Sequence, residues 1–529
     1  MNRKYFTRFI VLALLANVFV LQLAAQATGQ TRIISADYNR VAGPLNNYFD
    51  MCVGAGRANE GLRADWQQQL ALVKEQCGFR YLRMHGLLTD DMGVYFEDRK
   101  GNPVYNWQYI DVLFDYMLKI GVKPFVELGF MPNALASGNK TIFWWKGNIT
   151  YPKDETKWQN LITVLVQHFK DRYGRDEVAT WYFEVWNEPN LKDIFFAGSM
   201  EDYFKLYSLT AAAVKKVDRQ FKVGGPATAG SAWIPEFLKY CKTSASPVDF
   251  VSTHVYGVKS GFVDADGSGT TVLSSQYNSI YDEVKNSRKQ IEESGYPGLE
   301  MHYTEWSSSY TPTDPIHDSY HEAPYILDKL KRTGNVTQSM SYWTFTDIFE
   351  ENGPRTTPFH GGFGLLNYQS IRKPAFYAYQ FLHRLGNHEL VNKDDASYIC
   401  KNDKGNIQAL CWNFTITHPG DSVSNQVFYK RDLPSKQTAP VEIRLVNIPA
   451  GKYTVNVYKT GYRTNDAYTT YVDMGSPDQL SPQQVKQLQQ ASDGKPVLSS
   501  AVTVDSKGLF TAKYPMREND VLLVELVKK

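Results

Sequence analysis

Between residues 49 and 386 the chain alternates between two textures. Short apolar, β-branched or aromatic runs are followed by longer runs whose apolar positions recur at helical spacing. The strand-like runs are FDMCVGA, FRYLRMHGL, KPFVELGFM, TWYFEVWNE, FKVGGPA, FVSTHVYG, LEMHYTEW and SMSYWTF. Their helix-like partners include ADWQQQLALVKEQC, WQNLITVLVQHFKDRYG, APYILDKLKRTG and PAFYAYQFLHRLG. Gly121, Gly174 and Gly334 follow the last apolar turn of such runs, where a left-handed C-cap is expected. Strict alternation means parallel strands with helical crossovers. Eight repeats over about 340 residues predict an α/β fold of the closed (β/α)8 TIM-barrel kind, spanning 49–386. No GxGxxG follows the first strand, so an open dinucleotide-binding sheet is disfavoured.

After residue 387 the period shortens to two. ASYICKN, IQALCWNF, VEIRLVNI, YTVNVYKT, LFTAKY and VLLVELV, separated by Gly, Pro, Asn and Asp, predict a C-terminal antiparallel β-sandwich over 387–529. Residues 28–48 are expected to add a strand to it. The stretch SPDQLSPQQVKQLQQASDG interrupts the sandwich as one exposed helix or a long loop. At the N-terminus, MNRKYFTR is basic, FIVLALLANVFVLQLAA is apolar, and AQA at Ala25–Ala27 suits cleavage, so residues 1–27 read as a secretory signal peptide. Asn17 and Gln22 interrupt the apolar run, which is short for a full membrane span. The expectation is a secreted or periplasmic protein with no stable membrane insertion after cleavage.

Composition narrows the partners. A hydrophobic share of 43% and a charged share of 21% suit a soluble globular chain. The net charge is +2 and no block of five or more basic residues occurs, which argues against nucleic acid. Among the five cysteines there is no CxxC pair, and HExxH is missing, so neither a metal nor a cofactor is expected. Cys400 and Cys411 could cross-link over a hairpin or be two small buried apolar residues.

The candidate chemistry lies at two strand ends. Glu188 closes the fourth strand-like run in WNEP, and Glu305 closes the seventh in YTEW. In a barrel both point into the C-terminal mouth, from opposite sides. Two opposed carboxylates are what glycoside cleavage requires: one protonated to release the leaving oxygen, one ionised to attack or stabilise the anomeric carbon. A gap of about 5–5.5 Å gives a covalent intermediate and retention, and a wider one admits water and inverts. Either tripeptide alone is a weak signal; the two together at these positions are strong.

The pattern resembles the retaining glycosidases built on (β/α)8 barrels and, within them, glycoside hydrolase family 39, in its β-xylosidase branch. The matching segments are FRYLRMHGLLTDDMGVY, ELGFMP, FEVWNEPNL, STHVY, YTEWSSS and SYWTFTDIFEENG, across residues 79–352. The resemblance implies that Glu188 is the general acid/base, Glu305 the nucleophile and Asn187 the partner of the sugar 2-hydroxyl. It implies that His254 and Tyr256 surround the nucleophile, with Tyr256 orienting it. It also implies that His85, Glu350 and Glu351 grip hydroxyls, and that Trp343 floors the sugar and precedes a cis peptide. Blander readings stand beside these. A strand-end histidine is readily structural and Trp343 readily core. Adjacent residues point to opposite faces, so at most one of Glu350 and Glu351 should face the sugar unless the chain turns there. Glu184 is either an inner hydrogen-bonding acid or an ion-pair partner.

The expected function is a retaining, exo-acting β-xylosidase that acts on an oligosaccharide or aryl glycoside, with the oligomeric state open. The alternatives are an α-L-iduronidase-like or other activity of the same family, and a non-catalytic secreted carbohydrate-binding protein. A metal-dependent hydrolase would need more strand-end ligands than His85 and His254.

Overall fold

The computed structural model describes residues 30–263, 269–420 and 425–529, so the expected signal peptide lies outside the described residues. Eight parallel strands close a barrel: Cys52–Arg57, Tyr81–His85, Lys123–Leu128, Tyr182–Val185, Lys222–Thr228, Phe250–Tyr256, Glu300–Ser307 and Ser339–Tyr342. They neighbour one another in chain order, and the eighth pairs with the first through Tyr342 and Val53. The fourth strand is buried along its whole length, which is why its run is continuously apolar apart from Glu184.

The crossover helices show why their sequences are helical. Gln108–Lys119 buries Ile110, Leu113, Phe114 and Met117, one stripe at 3.6-residue spacing. Glu155–Tyr173 starts under Asp154, whose side chain accepts from the Lys157 amide at 3.0 Å. Gly121 and Gly174 take positive φ values of 77° and 84°. Gly334 does not: its φ is −60°. Glycine stands there because a Cβ would meet the Tyr48 ring at 2.8 Å. Tyr48 is tied to the same helix end by hydrogen bonds to Leu330 O and Thr333 Oγ1.

The barrel interior is layered. Met51, Phe125, Tyr182 and Phe250 plug the N-terminal end, with Phe125 and Tyr182 stacked at 5.0 Å. Above them lies a charged layer of Arg83, Glu127 and Glu184, all fully buried. The mouth carries Glu188 and Glu305.

Apart from three two-stranded hairpins, the remaining strands among the described residues form two sheets. Seven strands run in the order Val41–Pro44, His388–Leu390, Ser397–Lys401, Ile407–Trp412, Val521–Lys528, Gly451–Thr460 and Leu498–Val504. Three more comprise Arg32–Asp37, Val441–Val446 and Phe510–Tyr514. Arg32–Asp37 pairs in parallel with Val441–Val446, so the unit is not purely antiparallel. One face of the large sheet packs on the small sheet through Ile399, Cys411 and Leu526. The other joins the barrel core through Cys400, Trp412 and Leu523. Cys400 and Cys411 therefore sit on opposite faces and both are free thiols. Within the interrupting stretch, Pro482–Ala491 is a helix, but Leu488 on it is fully buried. Leu488 packs with Tyr468 and Tyr471 of a second helix, Ala467–Asp473, and with Phe359 and Ile371 from the segment that follows the eighth barrel strand.

Candidate active site

The fourth barrel strand stops at Val185, and the chain turns sharply so that Trp186 and Glu188 have φ of 72° and 43°. Positive φ costs about 1–3 kcal/mol at a non-glycine residue and persists only where surroundings enforce it. Here Trp186 is buried and donates from Nε1 to Phe195 O at 2.8 Å, while the Glu188 amide donates to Ala227 O at 2.7 Å. Pro189, next in the chain, has no N–H to donate. The turn aims the Glu188 carboxyl into the barrel mouth.

Glu305 enters from the seventh strand, in register with His254 on the sixth. Its Oε1 accepts from Arg83 Nη1 at 2.5 Å and its Oε2 from the Tyr256 hydroxyl at 2.7 Å. Glu188 Oε1 lies 2.8 Å from His254 Nδ1, which is 3.5 Å from Glu305 Oε2. Oxygens of the two carboxyls come within 4.8 Å of each other. That is the range of direct attack rather than of an intervening water. Burial, with the Glu127 charge adding to it against Arg83, pushes Glu188 up to about 8. Burial holds His254 below its ordinary range, so it is neutral. With its proton on Nδ1, His254 donates to Glu188 Oε1 and leaves Oε2 to carry the carboxyl proton.

Arg83 organises the layer beneath. Its Nε donates to Glu184 at 2.7 Å, Nη1 to Glu305, and Nη2 to Asn187 Oδ1 at 2.8 Å, with Glu127 2.9 Å away. Burial works against the Glu184 carboxylate, but Arg83, His254 and hydrogen bonds from Ser252 and Thr304 together hold that acid below its usual range. Burial pushes Glu127 up to about 8 despite Arg83, and its Oε2 lies 2.7 Å from His85 Nδ1. Because Arg83 occupies the Asn187 oxygen, the Asn187 amide nitrogen is left for the cavity.

The cavity has a volume of about 530 Å³. Trp343, joined to Thr344 by a cis peptide, lines one side. Gly54 makes room for its indole, since a Cβ there would sit 2.3 Å from the ring. His85 and Glu351 face the same side, with His85 Nε2 3.6 Å from both Glu305 and Glu351. Burial and Arg83 bring His85 down to about 3, so it too is neutral. Burial, and after it the neighbouring Glu305, Glu60 and Glu188 carboxyls, push Glu351 well above the carboxylate range.

The model of glycosyl hydrolases family 39 matches residues 32–511. The chain belongs to this family. A β-xylosidase of Caldicellulosiruptor saccharolyticus is 39% identical over 469 residues, 87% of this chain and 92% of that one. The crystal structure of a monomeric β-xylosidase from Caulobacter crescentus superposes with a TM-score of 0.89 at 44% identity, covering 94% of this chain and all of that one. An α-L-iduronidase of mouse matches over 167 residues, 30% of this chain, at 28% identity. Family 39 enzymes are glycosidases, and this chain is one.

Against the residues expected for a family 39 site, one placement differs. Glu350 turns away from the cavity and pairs with Arg57 at 2.8 Å and Arg63 at 3.2 Å, while Glu351, at the start of a turn, faces it. His254 does sit beside Glu305, as the resemblance implied, but wholly buried behind the two carboxyls and between them, without lining the cavity. Sequence reading overlooked Arg83, Glu127, Phe143, Tyr310 and Phe363, the last three of which line the cavity. Arg83 had a signal: a lone arginine inside a strand-like run needs buried acids, and Glu127 and Glu184 occupy the next two strands. The ligand atoms of Glu188, His254 and Glu305 are also close enough to span a cation, although hydrogen bonds already engage them.

Proposed function

We propose that this family 39 glycosidase is a retaining, exo-acting β-xylosidase. The facing pair of Glu188, held neutral, and Glu305, held by Arg83 and Tyr256, carries the reading. Glu305 attacks the anomeric carbon while Glu188 gives its proton to the departing oxygen, leaving a glycosyl ester on Glu305. Glu188, now a carboxylate, takes a proton from water, and the resulting attack releases the sugar with retained configuration. Asn187 presents its amide nitrogen to the sugar 2-hydroxyl, a contact that tightens in the transition state. His85 and Glu351 bond the remaining hydroxyls, and Trp343 stacks on the ring. Exo action is supported by the segment after the eighth strand, which brings Glu351 and Phe363 to the cavity on the sugar side.

An aryl 2-deoxy-2-fluoro-β-xyloside followed by peptide mass mapping tests this directly. The label is expected on Glu305; turnover of the aryl xyloside with labelling at another residue overturns the assignment. An iduronide would place a carboxylate beside Glu351, and among the described residues no lysine or arginine lines the cavity to receive it. Faster cleavage of an aryl iduronide than of an aryl β-xyloside would reverse that choice. We also infer export through residues 1–27, supported by their basic, apolar and small-residue order. N-terminal sequencing of the protein recovered outside the cytoplasm should begin near residue 28.

A further inference from the structure

The cavity is built from two unlike arcs of the barrel. His85, Trp343, Glu351 and Phe363 come from the second strand, the eighth strand and the segment after it. The fourth to sixth strands and their following segments bring Asn190, Gly230 and Glu283 to the same cavity. With strands in chain order around a closed barrel, these arcs face each other. Glu188 stands on the second arc. A general acid must reach the oxygen that departs, so the leaving group lies on this side.

Glu283 is an acid on that side which the chemistry above does not use. It projects from the helix Ser279–Glu293, and its Oε1 accepts from Ser231 Oγ at 2.9 Å. Ser231 Oγ is 3.0 Å from the Tyr303 hydroxyl, itself 2.9 Å from Ser287 Oγ. The backbone entering this turn is clamped by Asn190, which donates to Ala229 O at 3.0 Å and accepts from the Ala229 amide at 2.9 Å. Gly230 then takes φ of 61°. One Glu283 oxygen is thus fixed to a rigid frame. Among the described residues no lysine, arginine or histidine pairs with the carboxyl, and Oε2 makes no hydrogen bond.

We propose that Glu283, anchored by Ser231, forms the polar wall of the leaving-group subsite, where Oε2 accepts a hydroxyl of the departing sugar and the carboxylate disfavours leaving groups that carry a carboxylate of their own. This rests on the β-xylosidase reading. It makes neutral xylo-oligosaccharides the preferred substrate class, and acid-substituted ones poor.

Kinetics on xylobiose, 4-carbamoylphenyl β-xyloside and 4-carboxyphenyl β-xyloside test it, with Glu283→Ala and Glu283→Gln beside the parent enzyme. Losing a hydrogen bond to a charged group should raise KM on xylobiose about tenfold in Glu283→Ala, with a smaller change in kcat. The parent enzyme should prefer the carbamoyl over the carboxyl compound by about tenfold or more, and Glu283→Gln should shrink that preference to about threefold or less. An unchanged preference in Glu283→Gln overturns the inference, as does an unmoved KM on xylobiose in Glu283→Ala. Should Glu283→Ala not fold, the isosteric Gln variant decides alone. If the parent enzyme cleaves none of the three xylosides, the β-xylosidase reading fails first and takes this with it; if it cleaves them and the variants match it, only this inference fails.

Discussion

At the scale of single residues the site works by giving two similar side chains different neighbours. Glu188 and Glu305 are both glutamates at strand ends, but only Glu305 touches Arg83 and Tyr256. Glu188 instead meets a neutral histidine in a buried wall, which raises it to about 8. Its working form in the first step is protonated, so kcat/KM should fall as pH rises through about 8. Glu188→Ala should remove that alkaline limb and cost about 10²–10⁴-fold on xylobiose, less on substrates with good leaving groups. A pH–rate series on both enzymes measures this; a limb that survives the substitution would assign the proton elsewhere. The raised value also bears on stability. The folded state keeps a proton that the unfolded chain releases above about 4.5, so this contribution is whole below that pH and fades as pH climbs towards about 8. Chelation gives a further check: because hydrogen bonds already engage Glu188, His254 and Glu305, turnover should survive dialysis against EDTA, and a loss restored by a divalent cation would contradict double displacement. The two glutamates were legible because NEP and TEW fall at the ends of countable strands. The Glu350–Glu351 ambiguity was legible as an ambiguity, and only coordinates could say which one faces inward. Arg83 and Glu127 were not legible as a network, because pairing across strands depends on register, which periodicity alone leaves free.

At the scale of elements, one buried lysine governs the segment that walls the cavity. Lys373 Nζ lies 2.7 Å from Asp318 and 2.9 Å from Asp347 and donates to Gly362 O at 2.6 Å. Those acids in turn accept from the Gly361 and Gly364 amides at 2.7 and 2.6 Å. All three side chains are fully buried, so the segment carrying Phe363 is fastened from three sides. Breaking a buried pair by removing one partner costs about 3–5 kcal/mol. Lys373→Met should therefore lower the urea midpoint and also depress kcat/KM by loosening the wall. Lys373→Met combined with Asp347→Asn should recover part of the stability; strict additivity would mean that the lysine and the acid do not act together. The eight strands and their crossovers were readable because each buries a continuous apolar run or a single stripe. The hairpin Val258–Val263 with Gly269–Leu273 was not, since its residues alternate only weakly between apolar and polar. His388–Leu390 is too short to show a period, and Leu498–Val504 is exposed over most of its length, so neither carries an inside–outside signal.

At the scale of the molecule, the barrel and the β unit share a core. The helix Pro374–His383 ends against the large sheet, where Phe381 meets Tyr458 at 6.4 Å. Arg384 just beyond it binds Glu525 through both oxygens, at 2.9 and 2.8 Å, and lies over the Tyr458 ring. Tyr398 and Trp412 bury their rings in the same continuous cluster as the barrel helices. The strands Arg32–Asp37 and Val41–Pro44 pair inside the β unit as well, so among the described residues the barrel is inserted between two parts of that unit. Two units joined by a polar seam would melt separately; two units sharing apolar core should melt as one. Calorimetry should show a single transition, and Trp412→Ala, which removes about 3–5 kcal/mol of packing, should move it as a whole together with the loss of glycosidase activity. A chain cut after residue 386 would expose the barrel-side partners of Trp412 and Leu523 and leave Arg32–Asp37 without Val441–Val446, so it should not yield a soluble barrel. Two resolved transitions, with activity persisting through the first, would show that the β unit is an appendage and that the barrel stands without it.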